Sequence, residues 1–305
     1  MNDSLPDTRG GLLPVGFKAS GVACGIKADP STLDVALFVA DAPVAAAGVF
    51  TLNRVCGAPV KVSRDRVPSE GVRAVVINSG NANACTGARG IEDAETMAAW
   101  VARRLDCSPE SVLVCSTGVI GHYLPMDEIA GGIEAAVEVL GDSAESFEAA
   151  ARAMMTTDTV VKQSVHEVSL SGGVCRVSGA AKGAAMIGPN MATMLALILT
   201  DATLDQGDVQ RILQEAVTDT FNCISVDGHT STNDTTLLVA SGASGGEPLK
   251  GQNLSQFSGA MAGICADLAR QIAADGEGAS HLITIQVSRC ASREDARQIA
   301  KSIAN

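Results

Sequence analysis

The stretch Ala181–Leu199, AKGAAMIGPNMATMLALIL, decides how the rest of the chain is read. Its second half, from Met194 to Leu199, is a short continuous apolar run. That suits a buried strand and is far too short to span a bilayer. Gly188-Pro189-Asn190 supplies turn chemistry just ahead of it, and Ala192-Thr193 stands where the strand begins. A threonine hydroxyl held against the preceding carbonyl can undergo an N→O acyl shift, and hydrolysis of that ester leaves the threonine as a new N-terminus. Its freed α-amine, with an ordinary pKa of about 7.7–8.0, can act as base for its own hydroxyl. No histidine is needed for such a pair. Ala-Thr pairs are common, however, and spacing alone favours Thr193 as a plain β-branched residue at a strand start.

Working outward, the first sixty residues read as successive strands, Val15–Lys27, Leu33–Ala40 and Val44–Thr51, parted by turn signals at Asp29-Pro30 and Asp41-Ala42-Pro43. A strand at Arg73–Asn78 leads into the small-residue loop NSGNANACTG (Asn78–Gly87), followed by a helix with Ile91, Ala94, Ala98, Val101 and Leu105 on one face. The plan repeats. Strand Ser111–Cys115 feeds the loop STGVIG (Ser116–Gly121), then come helices around Met126–Leu140 and Ala144–Met155 and a hairpin, Val165–Leu170 with Val174–Val177. After Met194–Thr200 the pattern predicts a helix over Asp205–Phe221, a strand over Asn233–Ala240, a helix over Leu254–Ala274, a strand over His281–Val287 and a helix over Ser292–Ala304. The order implies an α/β or α+β fold of layered sheets flanked by helices. The chain stops in helical pattern at Asn305, which reads as the end of a truncated or split product.

Composition narrows the partners. Net charge is −12 and no basic cluster exceeds two adjacent residues, which disfavours nucleic acid and anionic membrane. Met1–Leu12 has no apolar signal core, so a cytoplasmic location is expected. Aromatics are only 3% of the chain, so the core must be built from Ala, Val, Leu, Ile and Met. Nine scattered cysteines form no CxxC pair and four histidines no metal-ligand spacing, so no metal and no cofactor are expected and the thiols read as small buried hydrophobes.

KGAAMIGPNMATML (Lys182–Leu195) closely resembles the cleavage-site signature of the ornithine acetyltransferases, the bifunctional glutamate N-acetyltransferases of arginine biosynthesis. NSGNANACTG, STGVIG, MTTDT (Met155–Thr159), SVDGHTSTND (Ser225–Asp234) and DGEGA (Asp275–Ala279) resemble further motifs of that family in the same order, and the resemblance runs from Gly16 to the last residue. It implies a self-processing, N-terminal-nucleophile-like architecture. The precursor would cut itself between Ala192 and Thr193 into an α chain (1–192) and a β chain (193–305), which stay associated as α2β2. Thr193 would take acetyl from N2-acetylornithine and pass it to glutamate, with acetyl-CoA as a further donor in bifunctional members.

By the same resemblance, Thr117 and Gly118 form the oxyanion hole, and Thr159, Lys182 and Glu277 bind substrate. Lys182 would supply a point charge for an α-carboxylate and Glu277 a partner for the δ-ammonium of ornithine. NSGNANACTG and SVDGHTSTND read as shapers of the loops around the site. Ala185 stands where the family has glycine, and His229 where it has Asp or Asn. The family also implies chain beyond Ser302–Asn305, with a DPNWGR-like motif and an Asn and a Thr that touch substrate. Two other readings share the nucleophile: a self-processing amidohydrolase or aminopeptidase of related fold, and an inactive fragment that needs a C-terminal partner.

Overall fold

The computed structural model describes residues 12–188 and 194–305. Ala192 and Thr193, on which the sequence reading turns, lie outside the described residues. In chain order the elements are β1 (Phe17–Val22), β2 (Val35–Phe50), α1 (Ala58–Arg64), β3 (Ser69–Asn81), α2 (Gly87–Leu105), β4 (Val112–Val119), α3 (Met126–Glu138), α4 (Ala144–Met154), β5 (Lys162–Leu170), β6 (Gly173–Lys182), β7 (Leu195–Thr200), α5 (Gln206–Asp219), β8 (Thr235–Ala240), α6 (Gly251–Ala274) and α7 (Arg293–Ala304).

Strand order is β4-β3-β2-β8-β7-β6-β5, with β1 paired to the first part of β2. The neighbours β3/β4 and β7/β8 are parallel, because a helix carries the chain back between them: α2 for the first pair, α5 for the second. Period-two alternation then sorts the side chains into layers. Along β2, Ala36, Phe38 and Ala40 enter one apolar cluster while Val35, Leu37 and Val39 enter another. Along β7, Leu195, Leu197 and Leu199 enter the same cluster as Phe38, and Ala196 and Ile198 point the other way. The two halves of the sheet thus share an inner face, completed by Phe147, Ala150 and Met154 of α4. Helices α2 and α3 cover the outside of one half, α5 and α6 the outside of the other. Burying each inner leucine is worth about 1.5–3 kcal/mol. Small residues keep the layers close: a Cβ on Gly21 of β1 would lie 2.0 Å from the carbonyl oxygen of Ala149 in α4.

β2 is one strand, not the two that the Asp41-Ala42-Pro43 signal suggested. Those residues form a bulge instead: Val39 pairs with Ala74 and Val44 with Val72, so the six residues 39–44 on β2 answer the three residues 72–74 on β3. The seven-residue α1, with Pro59 in its first turn, had no counterpart in the sequence reading. The strand expected at His281–Val287 is not formed. Its alternation suits a strand, but the segment pairs with none of the described strands and Ile283 is 78% exposed. Cysteines divide too: Cys115, Cys175 and Cys265 are buried as expected, whereas Cys85 and Cys223 are exposed. Among the described residues no helix is long and apolar enough to cross a membrane.

The proposed junction at Ala192-Thr193 falls between two neighbouring strands. Lys182 at the end of β6 pairs with Leu195 at the start of β7, and β2 pairs along its second half with β8. Hydrogen-bonded ladders therefore join residues from either side of the junction.

Candidate active site

Thr117 and Gly118 lie in the last three residues of β4, opposite Ser79 and Gly80 of β3. Thr117 is buried. Gly118 has φ +130°, and a Cβ there would lie 2.3 Å from the carbonyl carbon of Gly80 and 2.5 Å from the amide nitrogen of Asn81. Only glycine fits so close to a neighbouring backbone and adopts that φ without strain. The loop after β3 wraps this end with neutral groups. Asn81 donates to the Tyr123 carbonyl (2.9 Å) and accepts from the amide of Asn83 (2.9 Å). Asn83, in the left-handed region at φ +46°, donates to the Gly90 carbonyl (2.8 Å) and accepts from the Thr86 hydroxyl (2.7 Å). Asparagine is the residue that takes such a backbone most readily after glycine.

A second group of residues gathers where β6 ends and β7 and β8 begin. Here the chemistry is ionic and buried. The Lys162 ammonium, fully enclosed, sits 2.6 Å from Asp158 and 2.6 Å from Asp275. Asp158 also accepts from the amide of Gly183 at 2.6 Å, which ties it to the backbone next to Lys182. Thr159 donates to Asp275 twice, through its amide (3.0 Å) and its hydroxyl. The amide of Glu277 donates to the carbonyl of Ala184 at 2.6 Å.

These contacts set the protonation states. Burial by itself would raise the Asp158 and Asp275 carboxyls, but the Lys162 ammonium and the hydrogen bonds around them prevail and hold both below the usual carboxylate range; Lys182 adds to the effect on Asp158. Burial lowers Lys182, partly offset by Asp158 and Asp234. Asp234 goes the other way: burial pushes its carboxyl up to about 7 despite the bond from the Met194 amide and the nearby Lys182 charge.

The two groups lie at opposite ends of β2 by strand register. Asn78, beside the Thr117 end, pairs with Val35 at the start of β2, whereas Thr235 pairs with Phe50 at its finish. A straight strand of that length would hold its ends about 50 Å apart. The bulge interrupts β2 between them, and one side chain links the two groups directly: Asn233 donates to the carbonyls of Ala82 (2.6 Å) and Ser116 (2.9 Å).

The structure therefore places Thr159, Lys182 and Glu277 in one connected network and Thr117 with Gly118 in another. Lys182 is buried, while the Thr159 and Glu277 residues are exposed, Thr159 with its hydroxyl already engaged. Asp158, Lys162, Asn233, Asp234 and Asp275 carry much of the site's framework and were not singled out from sequence. All but Lys162 lie inside motifs quoted above, MTTDT, SVDGHTSTND and DGEGA, so the signal was present; what it meant was which residues pair across the fold.

Comparison with known proteins agrees over nearly the whole chain. The description ArgJ family matches residues 18–305. An arginine biosynthesis bifunctional protein ArgJ of Rhodopirellula baltica is 44% identical over all of this chain and 75% of its own length. A mitochondrial protein of the same name from Schizosaccharomyces japonicus is 42% identical over 99% of this chain and 72% of its own. Among solved structures, an ornithine acetyltransferase of Mycobacterium tuberculosis complexed with ornithine is 38% identical, with a TM-score of 0.54 over 60% of this chain and 96% of that one. An L-aminopeptidase D-Ala-esterase/amidase of Ochrobactrum anthropi, described as a variant of the Ntn hydrolase fold, gives a TM-score of 0.55 over 86% of this chain and 84% of that one at 10% identity, which is a likeness of fold alone.

Proposed function

The chain belongs to the ArgJ family, and from that membership we propose that it is an arginine-biosynthesis acyltransferase that moves acetyl from N2-acetylornithine to glutamate through Thr193. The observation that carries this reading is the extent of the match, which includes the Ala192-Thr193 junction. In the first step the Thr193 hydroxyl oxygen attacks the Ala192 carbonyl carbon, the peptide nitrogen leaves as the Thr193 α-amine, and water then cleaves the ester. The products are residues 1–192 ending in a carboxylate and residues 193–305 beginning with a free amine. The ladders β2/β8 and β6/β7 support their staying together, as one αβ unit of an α2β2 assembly.

In transfer, the α-amine takes the proton of the Thr193 hydroxyl as the oxygen attacks the acetyl carbonyl. Ornithine leaves with a proton on its freed nitrogen, and the glutamate amine then attacks the acetyl-threonine ester. Each attack puts negative charge on the carbonyl oxygen, and Thr117 O–H with Gly118 N–H are the donors assigned to it. The confinement of Gly118 against Gly80 supports that role, because a donor fixed in place needs no reorganisation when charge develops. Thr159, Lys182 and Glu277 are assigned to substrate, with Lys182 as point charge for the α-carboxylate common to acetylornithine and glutamate. Acetyl-CoA is the further donor of the bifunctional reaction.

Denaturing electrophoresis with N-terminal sequencing tests the first step. Two bands are expected, the smaller beginning Thr-Met-Leu-Ala, and a single uncut band in wild type and Thr193→Ala alike would sink self-processing. Intact mass tests the second. Incubation with N2-acetylornithine should add one acetyl group to the 193–305 piece, and glutamate should discharge it. Discharge at the same rate without glutamate would favour a hydrolase over a transferase.

A further inference from the structure

Asn233 and Asp234 are consecutive, and their side chains reach to opposite sides of the site. Asn233 holds the carbonyls of Ala82 and Ser116, the latter one residue before Thr117. Asp234 is fully buried, and its Oδ1 accepts the amide of Met194 at 2.9 Å. That amide nitrogen is bonded to the carbonyl carbon of Thr193, so Asp234 grips the peptide bond that follows the nucleophile. The grip is reinforced on both strands: the Thr235 amide donates to the Met194 carbonyl (3.1 Å) and the Thr51 amide to the Asp234 carbonyl (2.9 Å).

We infer that Asn233 and Asp234 are a positioning pair for the chemistry proposed above, Asn233 setting the Thr117–Gly118 side and Asp234, as its carboxylate, setting the Thr193 side. The inference rests on the acyltransferase reading and adds two residues to it. A neutral acceptor would satisfy the Met194 amide at less cost, since burying a carboxylate is unfavourable unless it is well paired. Here the pairing is incomplete: among the described residues Asp234 Oδ2 is buried with no hydrogen-bond partner. The groups that act on the carboxyl are the Lys182 charge from β6, the Met194 amide just before β7 and the hydroxyl and amide of Ser231 in its own loop. A charge-assisted bond is about twice as strong as a neutral one, so ionising Asp234 tightens the hold on Met194. With its carboxyl raised to about 7, that tightening falls at neutral pH.

The test uses the full chain and follows the rate of cutting at Ala192-Thr193 in wild type, Asp234→Ala and Asp234→Asn between pH 6 and 8, with thermal melts in parallel. Asp234→Ala is expected to cut at least tenfold more slowly than wild type. Asp234→Asn keeps an acceptor oxygen and the side-chain volume but cannot ionise, so the ratio of wild-type to Asp234→Asn rates should rise severalfold from pH 6 to pH 8. Wild-type cutting rates in a folded Asp234→Ala protein, or a flat ratio for Asp234→Asn, would overturn the assignment. If Asp234→Ala does not fold, the Asp234→Asn ratio decides alone. Failure of the wild type itself to cut counts against the acyltransferase reading and appears in the wild-type lane, apart from either variant.

Discussion

The two ends of the site hold their loops by different chemistry. Around Thr117 and Gly118 the loop framework is neutral: Asn81, Asn83 and Asn233 bond to backbone, and the Thr86 hydroxyl donates to the Asn83 side chain. Around Lys182 it is ionic, with Lys162 enclosed between Asp158 and Asp275. If Thr117 and Gly118 present fixed donors to developing negative charge, as proposed, a carboxylate beside them would compete for those donors, so amides and hydroxyls suit that end. At the other end, loops from MTTDT and DGEGA must be brought together under a buried lysine, and opposite charges do this with few atoms. The difference teaches that loops can be held rigid either by neutral hydrogen bonds to backbone or by buried opposite charges, and that this fold uses one at each end.

The largest effect should come from breaking the ionic end. Lys162→Met leaves two carboxylates facing each other without their cation, and breaking a buried pair in this way costs about 3–5 kcal/mol. Denaturant unfolding should show that loss, and a loss under 1 kcal/mol would mean that the network contributes little. Breaking the neutral end should cost less. Asn233→Ala strands the Ala82 and Ser116 carbonyls, at roughly 1–3 kcal/mol, yet it should slow acetyl transfer by more than that loss of stability accounts for. Parallel unfolding and transfer assays decide it, and equal transfer rates would show that the two ends need no common fastening.

The smallest effect is a matter of sign in pH. Asp158 and Asp275 lie below their ordinary value of 3.8, so their stabilisation is present above that pH and is lost as pH falls through their folded values. Asp234 is raised from 3.8 to about 7, so the folded state binds more protons between those values and its contribution falls as pH rises through that window. Melting temperature should therefore drop below pH 3.8 less steeply in Asp275→Asn than in wild type. In Asp234→Asn the decline from pH 4 to pH 7 should flatten. A wild-type slope in either variant would detach that residue from the titration.

Much of this was legible in the sequence because it is local. The three- and four-residue spacing of Val209, Ile212, Leu213, Ala216 and Val217 names the buried face of α5 without reference to anything else. What escaped depends on distant partners. The Asp41-Ala42-Pro43 run has turn chemistry whether it ends a strand or bulges one, and only its neighbour β3 decides. His281–Val287 alternates like a strand, but alternation alone does not bring it into a sheet. The Lys162–Asp275 pair spans 113 positions, beyond any periodicity, so nothing local singles out Lys162.

The ladders that cross the 192/193 junction have a consequence for how the protein comes apart. While the backbone is intact, folding is a unimolecular event within one chain. Once it is opened there, β2 with β8 and β6 with β7 become contacts between two molecules, and the unfolded state gains the freedom of a second particle. The midpoint of unfolding then depends on protein concentration. Refolding from denaturant becomes second order. The cut that creates the nucleophile would thus make assembly a one-way event in the life of the chain: folded first, divided afterwards, and hard to rebuild when dilute.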